Sequence, residues 1–355
     1  MPTATPEQLH AMTRAICTGG GSDEREATLV ADHLVGANLA GHDSHGVGML
    51  PAYVESVVAG RLIPNQHINV MRDTGPLVVI EGGRGYGQVI GFEAMGLGVE
   101  RARTHGVALL GIRNSFHLGR IGHWGEQCAG QGCASIHFVN GIDHGPLQAP
   151  FGGGEARLST NPFCVTLPGR DGPSVVLDMA TSKIAMGKAR VAHNKGVEVP
   201  EDSVLDVEGF PTRNPGVMFA EPRGSLVAMG EHKGSGLAIL CELMAGALTG
   251  GWTIQPEHPQ AGGIINNMLS IVIDPEAMGE RDALYREIEA LLGWVKASRP
   301  RQGFEEVLVP GEPEQQRRVE RRRDGIPVDE RTFAEIKAAA AAVGIDGSRF
   351  ERLFA

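Results

Sequence analysis

Basic residues are in short supply: 32 Lys and Arg against 42 Asp and Glu leave a formal charge of −10 over 355 residues. Coating a phosphate backbone needs a positive face, so broad nucleic-acid binding is excluded, while small anions can still find local sites. Cysteine is scarce too. The five, at positions 17, 128, 133, 164 and 241, form no CxxC pair and are odd in number, which argues against a disulfide framework. No window of eighteen apolar residues occurs, and residues 1–7 show no basic segment leading into an apolar one, so neither a membrane-spanning helix nor a secretory leader is expected. These absences point to the reducing cytoplasm. Three familiar signatures are missing as well: GxGxxG of the usual dinucleotide turn, GxxxxGK[ST] of the P-loop, and HExxH of zinc hydrolases.

What is present is a globular chain. Hydrophobic residues make up 42% of it, enough for a sizeable core and, by length, roughly two domains. Fifty glycines, about twice the usual share, are spread among apolar segments and read as turns and close backbone approaches. Residues 6–17 and a segment capped by Ser22 ahead of Asp23 and Glu24 are expected helices. Strands are expected at 68–70, 77–80, 107–112, 134–139, 174–177 and 269–273. Helices are expected at 88–104, 121–130, 237–248, 285–295 and 333–342. Strands and helices alternate, so the fold class is α/β or mixed α+β. Two elements are read as buried, the strand 174–177 and the helix 237–248. The arginine run 317–323 reads as a solvated helix face.

Four segments carry polar chemistry. Gly41-His-Asp-Ser-His-Gly-Val-Gly48 offers Ser44 to bind a substrate oxygen and His45, whose ordinary pKa near 6.5 suits proton transfer at neutral pH. The same cluster also reads as a helix cap. His117 follows an expected strand, where catalytic groups are often presented, and His123 reads as an ordinary helix residue. Ser159, Thr160, Asn161 and Pro162, with Asp178, Met179, Ala180, Thr181 and Ser182, place hydroxyls and backbone N–H groups at a strand end, suited to a phosphate or ribose, or simply to turns. Finally, Glu231, His232, Lys233 and Gly234 open an apolar helix where a cation can join the backbone donors. His42 with Asp43 and His45, or His137 with Asp143 and His144, are the two groups a metal-dependent hydrolase would need.

Taken together, segments 37–46, 117–122, 160–163, 178–182, 232–234 and 310–312 resemble the type-2 malate/L-lactate dehydrogenase family over nearly the whole chain. The resemblance implies a non-Rossmann NAD(P)-binding fold with a large mixed sheet and a helical domain made from both termini. Approximate boundaries are 1–75 plus 300–355 for the helical substrate and dimerisation domain, and 76–299 for the NAD(P)-binding domain. It implies a homodimer acting on 2-hydroxy and 2-oxo acids with NAD or NADP and no metal, some family members reducing cyclic imino acids instead. A non-catalytic dinucleotide-binding protein is the reading from another class. By position, His45 and His117 become the acid/base pair with Ser44 as orienting partner, and His117 is favoured as proton carrier. The cofactor is assigned to Thr160, Asn161, Pro162, Asp178, Met179, Ala180, Thr181, Ser182, His232, Lys233, Gly234, Pro310, Gly311 and Glu312. Many relatives place an arginine four residues after the first histidine, where this chain has Met49. The substrate carboxylate must then find another partner among Arg120, Arg157 and Arg190, and the more apolar wall hints at a larger or aromatic acid.

Overall fold

The computed structural model describes residues 3–258 and 261–354. Seven strands form its main sheet: β1 (Asn69–Asp73), β2 (Leu77–Glu81), β3 (Val107–Phe116), β4 (Ala134–Ile142), β5 (Phe163–Gly169), β6 (Gly172–Met179) and β7 (Ile265–Ile273). Their spatial order is β1-β2-β3-β7-β4-β5-β6, with β2 and β3 parallel and every other neighbouring pair antiparallel. The sheet is mixed, as the family resemblance implies. Because β7 runs against both β3 and β4, strands β2, β3 and β4 all end on one side. Residues 82–87, His117 and Asp143–His144 therefore emerge along one edge.

Eleven α-helices are described: α1 (Pro6–Gly19), α2 (Glu24–Leu39), α3 (Leu50–Val58), α4 (Gly87–His105), α5 (Gly122–Ala129), α6 (Met186–Lys195), α7 (His232–Cys241), α8 (Arg281–Lys296), α9 (Glu312–Asp324), α10 (Glu330–Ala342) and α11 (Gly347–Arg352). One apolar cluster joins the two chain ends: Leu9, Ile16, Leu34 and Tyr53 pack with Ile336 and Phe350, and the cluster reaches the sheet edge at Phe116 and Ile265. A second lies between the sheet and α4 and α5, around Ile80, Met95, Leu110 and Trp124. A small third cluster, including Ile184, Val204, Met218 and Leu226, holds α6 against short antiparallel strands at Val204–Leu205, Pro211–Thr212 and Ser225–Leu226. No helix among the described residues is long and apolar enough to cross a membrane.

Several expectations need correction. The cap of α2 is Asp23, whose carboxylate accepts from Glu26 N, whereas Ser22 turns its hydroxyl to the Glu26 side chain. A carboxylate in line with the positive helix end is the stronger cap here. β6 is an edge strand and only partly buried, so its apolar run does not mark a central position. The segment expected as a buried helix at 237–248 begins earlier, at His232, widens to a π-helix over Glu242–Ala247, and leaves Ile239, Leu240, Leu243 and Leu248 exposed. Nor is the arginine run merely solvated. Arg318 reaches Glu126 at 2.7 Å and Arg321 reaches Asp43 at 2.6 Å, pinning α9 to the core.

Candidate active site

The turn carrying His45 is built by α2 folding back on itself. Asn38 in the last turn of α2 donates from Nδ2 to Asp43 Oδ1 (2.7 Å) and accepts from Val47 N at Oδ1 (2.8 Å). Gly46 crosses this amide so closely that a Cβ would stand 2.2 Å from Asn38 Oδ1, so only glycine fits. Arg321 grips Asp43 through both guanidinium nitrogens (2.6 and 2.9 Å) and also donates to Asn38 O. The cap reading of this cluster is not met: among the described residues the Asp43 carboxylate takes the side chains of Asn38 and Arg321 and no backbone N–H, and it serves the turn in that way. Its two neighbours are the ones left available. Ser44 Oγ lies 2.9 Å from His45 Nδ1, and His45 Nε2 has no protein partner among the described residues.

His117 arrives from the other direction, at the end of β3, held where Leu118 N donates to Asn266 Oδ1 on β7 (2.8 Å). It is 9% exposed, and its ring stacks on that of His45 with centroids 5.6 Å apart and planes 21° apart. Beneath it lie two side chains that the sequence reading missed. Gln88 Nε2 donates to the Tyr53 oxygen (3.0 Å), and Tyr53 gives its own proton to His117 Nδ1 (2.7 Å). Neutral His117 therefore carries its hydrogen on Nε2, which has no protein partner among the described residues. No motif could have flagged Tyr53 or Gln88. Each sits at an ordinary helical core position, and only the fold brings them to the histidine.

Both imidazoles are held neutral. Burial, then the charge of His45 and of His144, carries the His117 pKa down to about 3; burial, then His42 and Arg120, carries His45 down to about 4. The ordinary value near 6.5 expected for His45 is accordingly corrected by its surroundings. Two stacked rings cannot both be charged cheaply, so the pair accepts one proton at a time. His123 belongs to another aromatic group, with His33 and Trp124.

The remaining segments meet around the far strands. Thr181 donates from both N and Oγ1 to Thr160 O (3.0 Å each), Ser182 Oγ donates to Ile184 O (2.8 Å), and Val176 N donates to Pro310 O (3.1 Å). The two hydroxyls are thus spent as donors on the chain itself. Asn161 is buried and tied to α7 and its π-helical extension through Ala238 O (3.0 Å) and Glu242 Oε2 (2.7 Å). Pro162 takes Val139 N on its carbonyl, and Gly234 N bonds Met229 O, whose own N–H goes to Thr181 O. Residues 160–162, 178–182, 232–234 and 310–311 are therefore neighbours. His232 and Lys233 are exposed at the start of α7, while Met179 and Ala180 are partly buried at the end of β6. Glu312 is committed to Val309 N (3.0 Å) and Lys296. Asp178 accepts Gly122 N on Oδ2 (2.8 Å), and its Oδ1 has no protein partner among the described residues, which suits a ribose hydroxyl. Burial raises the pKa of Asp178, partly offset by Arg120.

Neither metal group assembles. His137 lies inside the sheet between Ser270 Oγ (2.8 Å) and Ser135 Oγ (2.9 Å), away from Asp143, which accepts Gly263 N, and His42 turns to Glu314 (3.0 Å). Among the described residues no three His, Cys, Asp or Glu side chains gather as a metal site.

A mixed sheet that presents histidines at one edge and a carboxylate with turn segments around β6, without a glycine-fingerprint turn, is of the mixed α/β class. The chain belongs to the malate/L-lactate dehydrogenase family, whose model matches residues 4–337, and it is thereby an oxidoreductase. It is 48% identical over 341 residues to hydroxycarboxylate dehydrogenase B of Escherichia coli strain K12, covering 96% of this chain and 94% of that protein. It is 40% identical over 292 residues to the L-lactate dehydrogenase of Cupriavidus necator, covering 82% and 84%. A solved E. coli structure described as a malate/lactate dehydrogenase superposes with a TM-score of 0.95 at 46% identity, over 99% of this chain and 98% of that one.

Proposed function

We propose that this protein interconverts 2-hydroxy acids and 2-oxo acids with NAD or NADP, as a homodimer in the cytoplasm. The observation that carries the reading is the stacked pair of neutral imidazoles, His45 and His117, each with an Nε2 that has no protein partner among the described residues. A nicotinamide dinucleotide fits the chemistry around β6, where Asp178 Oδ1 suits a ribose and the exposed Lys233 at the start of α7 suits a phosphate. When bound, the dinucleotide supplies or accepts hydride at the substrate carbon. Five free, buried cysteines suit a reducing compartment.

The chain's own part is proton handling. His117 presents Nε2–H, which polarises a carbonyl oxygen; with the ring charged as the imidazolium, that proton passes to the oxygen as the alcohol forms and the ring returns to neutral. An incoming carboxylate offsets the cost of charging one ring of the pair, which burial otherwise opposes. Ser44 fixes the His45 ring so that it faces the same atoms. In the oxidative direction the pair takes up the single hydroxyl proton, and one neutral ring becomes the imidazolium.

The test is absorbance at the reduced-nicotinamide band with NADH and NADPH against pyruvate, oxaloacetate, glyoxylate, phenylpyruvate, hydroxyphenylpyruvate and a cyclic imino acid. Turnover of an oxo acid supports the reading, and turnover of the imino acid alone replaces it with imine reduction. His117→Ala should lower kcat by about 100- to 10,000-fold while cofactor affinity holds. Wild-type turnover in that variant would remove His117 from the proton-transfer role.

A further inference from the structure

We propose that Arg190 grips the substrate carboxylate and so sets which acids the protein accepts; this rests on the 2-oxo acid reading above. Such a substrate carries its carboxylate on the carbon next to the reacting one, so the anchor must stand near the two histidines. Met49, just past His45, packs against the apolar cluster of the terminal helices and offers no charge. Arg120 is 3% exposed and already committed, in two bonds to Glu126 (2.8 and 3.0 Å) and within 3.6 Å of Asp178. Arg157 pairs with Glu155 on an exposed loop. Arg317 and Arg321, which approach the His45 turn from α9, are taken by Glu320 and Asp43.

Arg190 differs from all of these. It reaches the turn from α6, with Nη2 only 3.5 Å from the point where a Cβ on Gly48 would stand. It is half-buried and has no carboxylate or carbonyl partner among the described residues. Its placement follows from Gly187, one turn earlier. Ser44 Cβ lies 2.1 Å from where a Gly187 Cβ would be, so α6 closes on Ser44 as only glycine permits. That contact sets the register of α6, and three residues on, the same face lays Arg190 along Gly48. Helix α6 thus brings an unpaired guanidinium to the turn that carries Ser44 and His45. A planar guanidinium can hold a carboxylate through two parallel hydrogen bonds, a geometry that a thioether at 49 cannot supply.

The experiment is steady-state kinetics on the full-length wild type, Arg190→Ala and Arg190→Lys, with the best 2-oxo acid of the panel and with its uncharged amide. Arg190→Ala should raise KM for the acid by about 30- to 100-fold while kcat/KM for the amide stays within about twofold. Arg190→Lys should recover part of the loss, and nicotinamide fluorescence quenching should report unchanged cofactor binding in both variants. An undiminished preference for acid over amide in Arg190→Ala overturns the assignment. So does an equal fall for both substrates, which would make Arg190 a support of the fold. A wild type that turns over no 2-oxo acid fails at the functional reading, and the assignment falls with it.

Discussion

Tyr53 stands between an amide and an imidazole at the end of β3, and with Gln88 Nε2 donating to the phenol oxygen, the hydroxyl hydrogen has His117 Nδ1 as its acceptor. Burial pushes the Tyr53 pKa further up, so the proton stays on the phenol and the imidazole keeps its acceptor role there. Tyr53 is fully buried, so no water is at hand to replace it. Tyr53→Phe should leave His117 Nδ1 and the Gln88 amide without that partner, at a cost of about 1–3 kcal/mol in unfolding free energy. It should also lower kcat about tenfold through loss of the ring's orientation. Urea unfolding and steady-state kinetics measure the two effects, and a variant matching wild type in both would leave the phenol without a role in holding the ring.

At the level of strands and helices, much of the chain was legible because its periodicity is strong. Six of the seven sheet strands and most helices lie where apolar spacing puts them, within a few residues. What escaped was decided by partners far along the chain. The apolar spacing of 237–248 cannot announce a π-helix; that widening accompanies Glu242, whose carboxylate is taken by Asn140, Asn161 and Ile254 N from three other segments. Likewise Arg318 and Arg321 look like surface charge until Glu126 and Asp43 are brought to them. Burial, Arg120 and then Arg318 set the state of Glu126: burial alone would raise its pKa, and the two arginines bring it down to about 2. His45 and His117 were visible as chemistry, but their stacking was not. The centre of the sheet offers a test of its own. His137 on β4 is wholly buried, and burial carries its pKa from 6.5 down to about 3. The unfolded chain binds a proton that the folded one refuses, so this contribution to stability is fully present above pH 6.5 and is lost as pH falls toward 3. His137→Gln should flatten the fall in urea midpoint across the upper part of that window, by up to about 1.4 kcal/mol per pH unit. Parallel acid limbs for the two proteins would mean that His137 is charged in the fold.

For the molecule as a whole, the telling feature is apolar surface left uncovered. Ile239, Leu240 and Leu243 face solvent along α7 and its π extension, followed by Leu248 at 64% and Trp252 at 51% exposure, with Phe151 beside the start of α7. Scattered apolar side chains are ordinary on a surface, but a helical run of them is what an interface between subunits needs. The homodimer proposed above would cover this run. α7 also begins at His232 and Lys233, so a subunit contact on it would steady the proposed phosphate end of the cofactor site. Replacing Leu240 and Leu243 together by glutamate should therefore convert a dimer to a monomer in sedimentation and, in the same protein, weaken dinucleotide binding while circular dichroism stays native. Loss of the dimer with unchanged cofactor affinity would confine α7 to assembly. A wild type that sediments as a monomer at micromolar concentration would instead leave this apolar run for another partner.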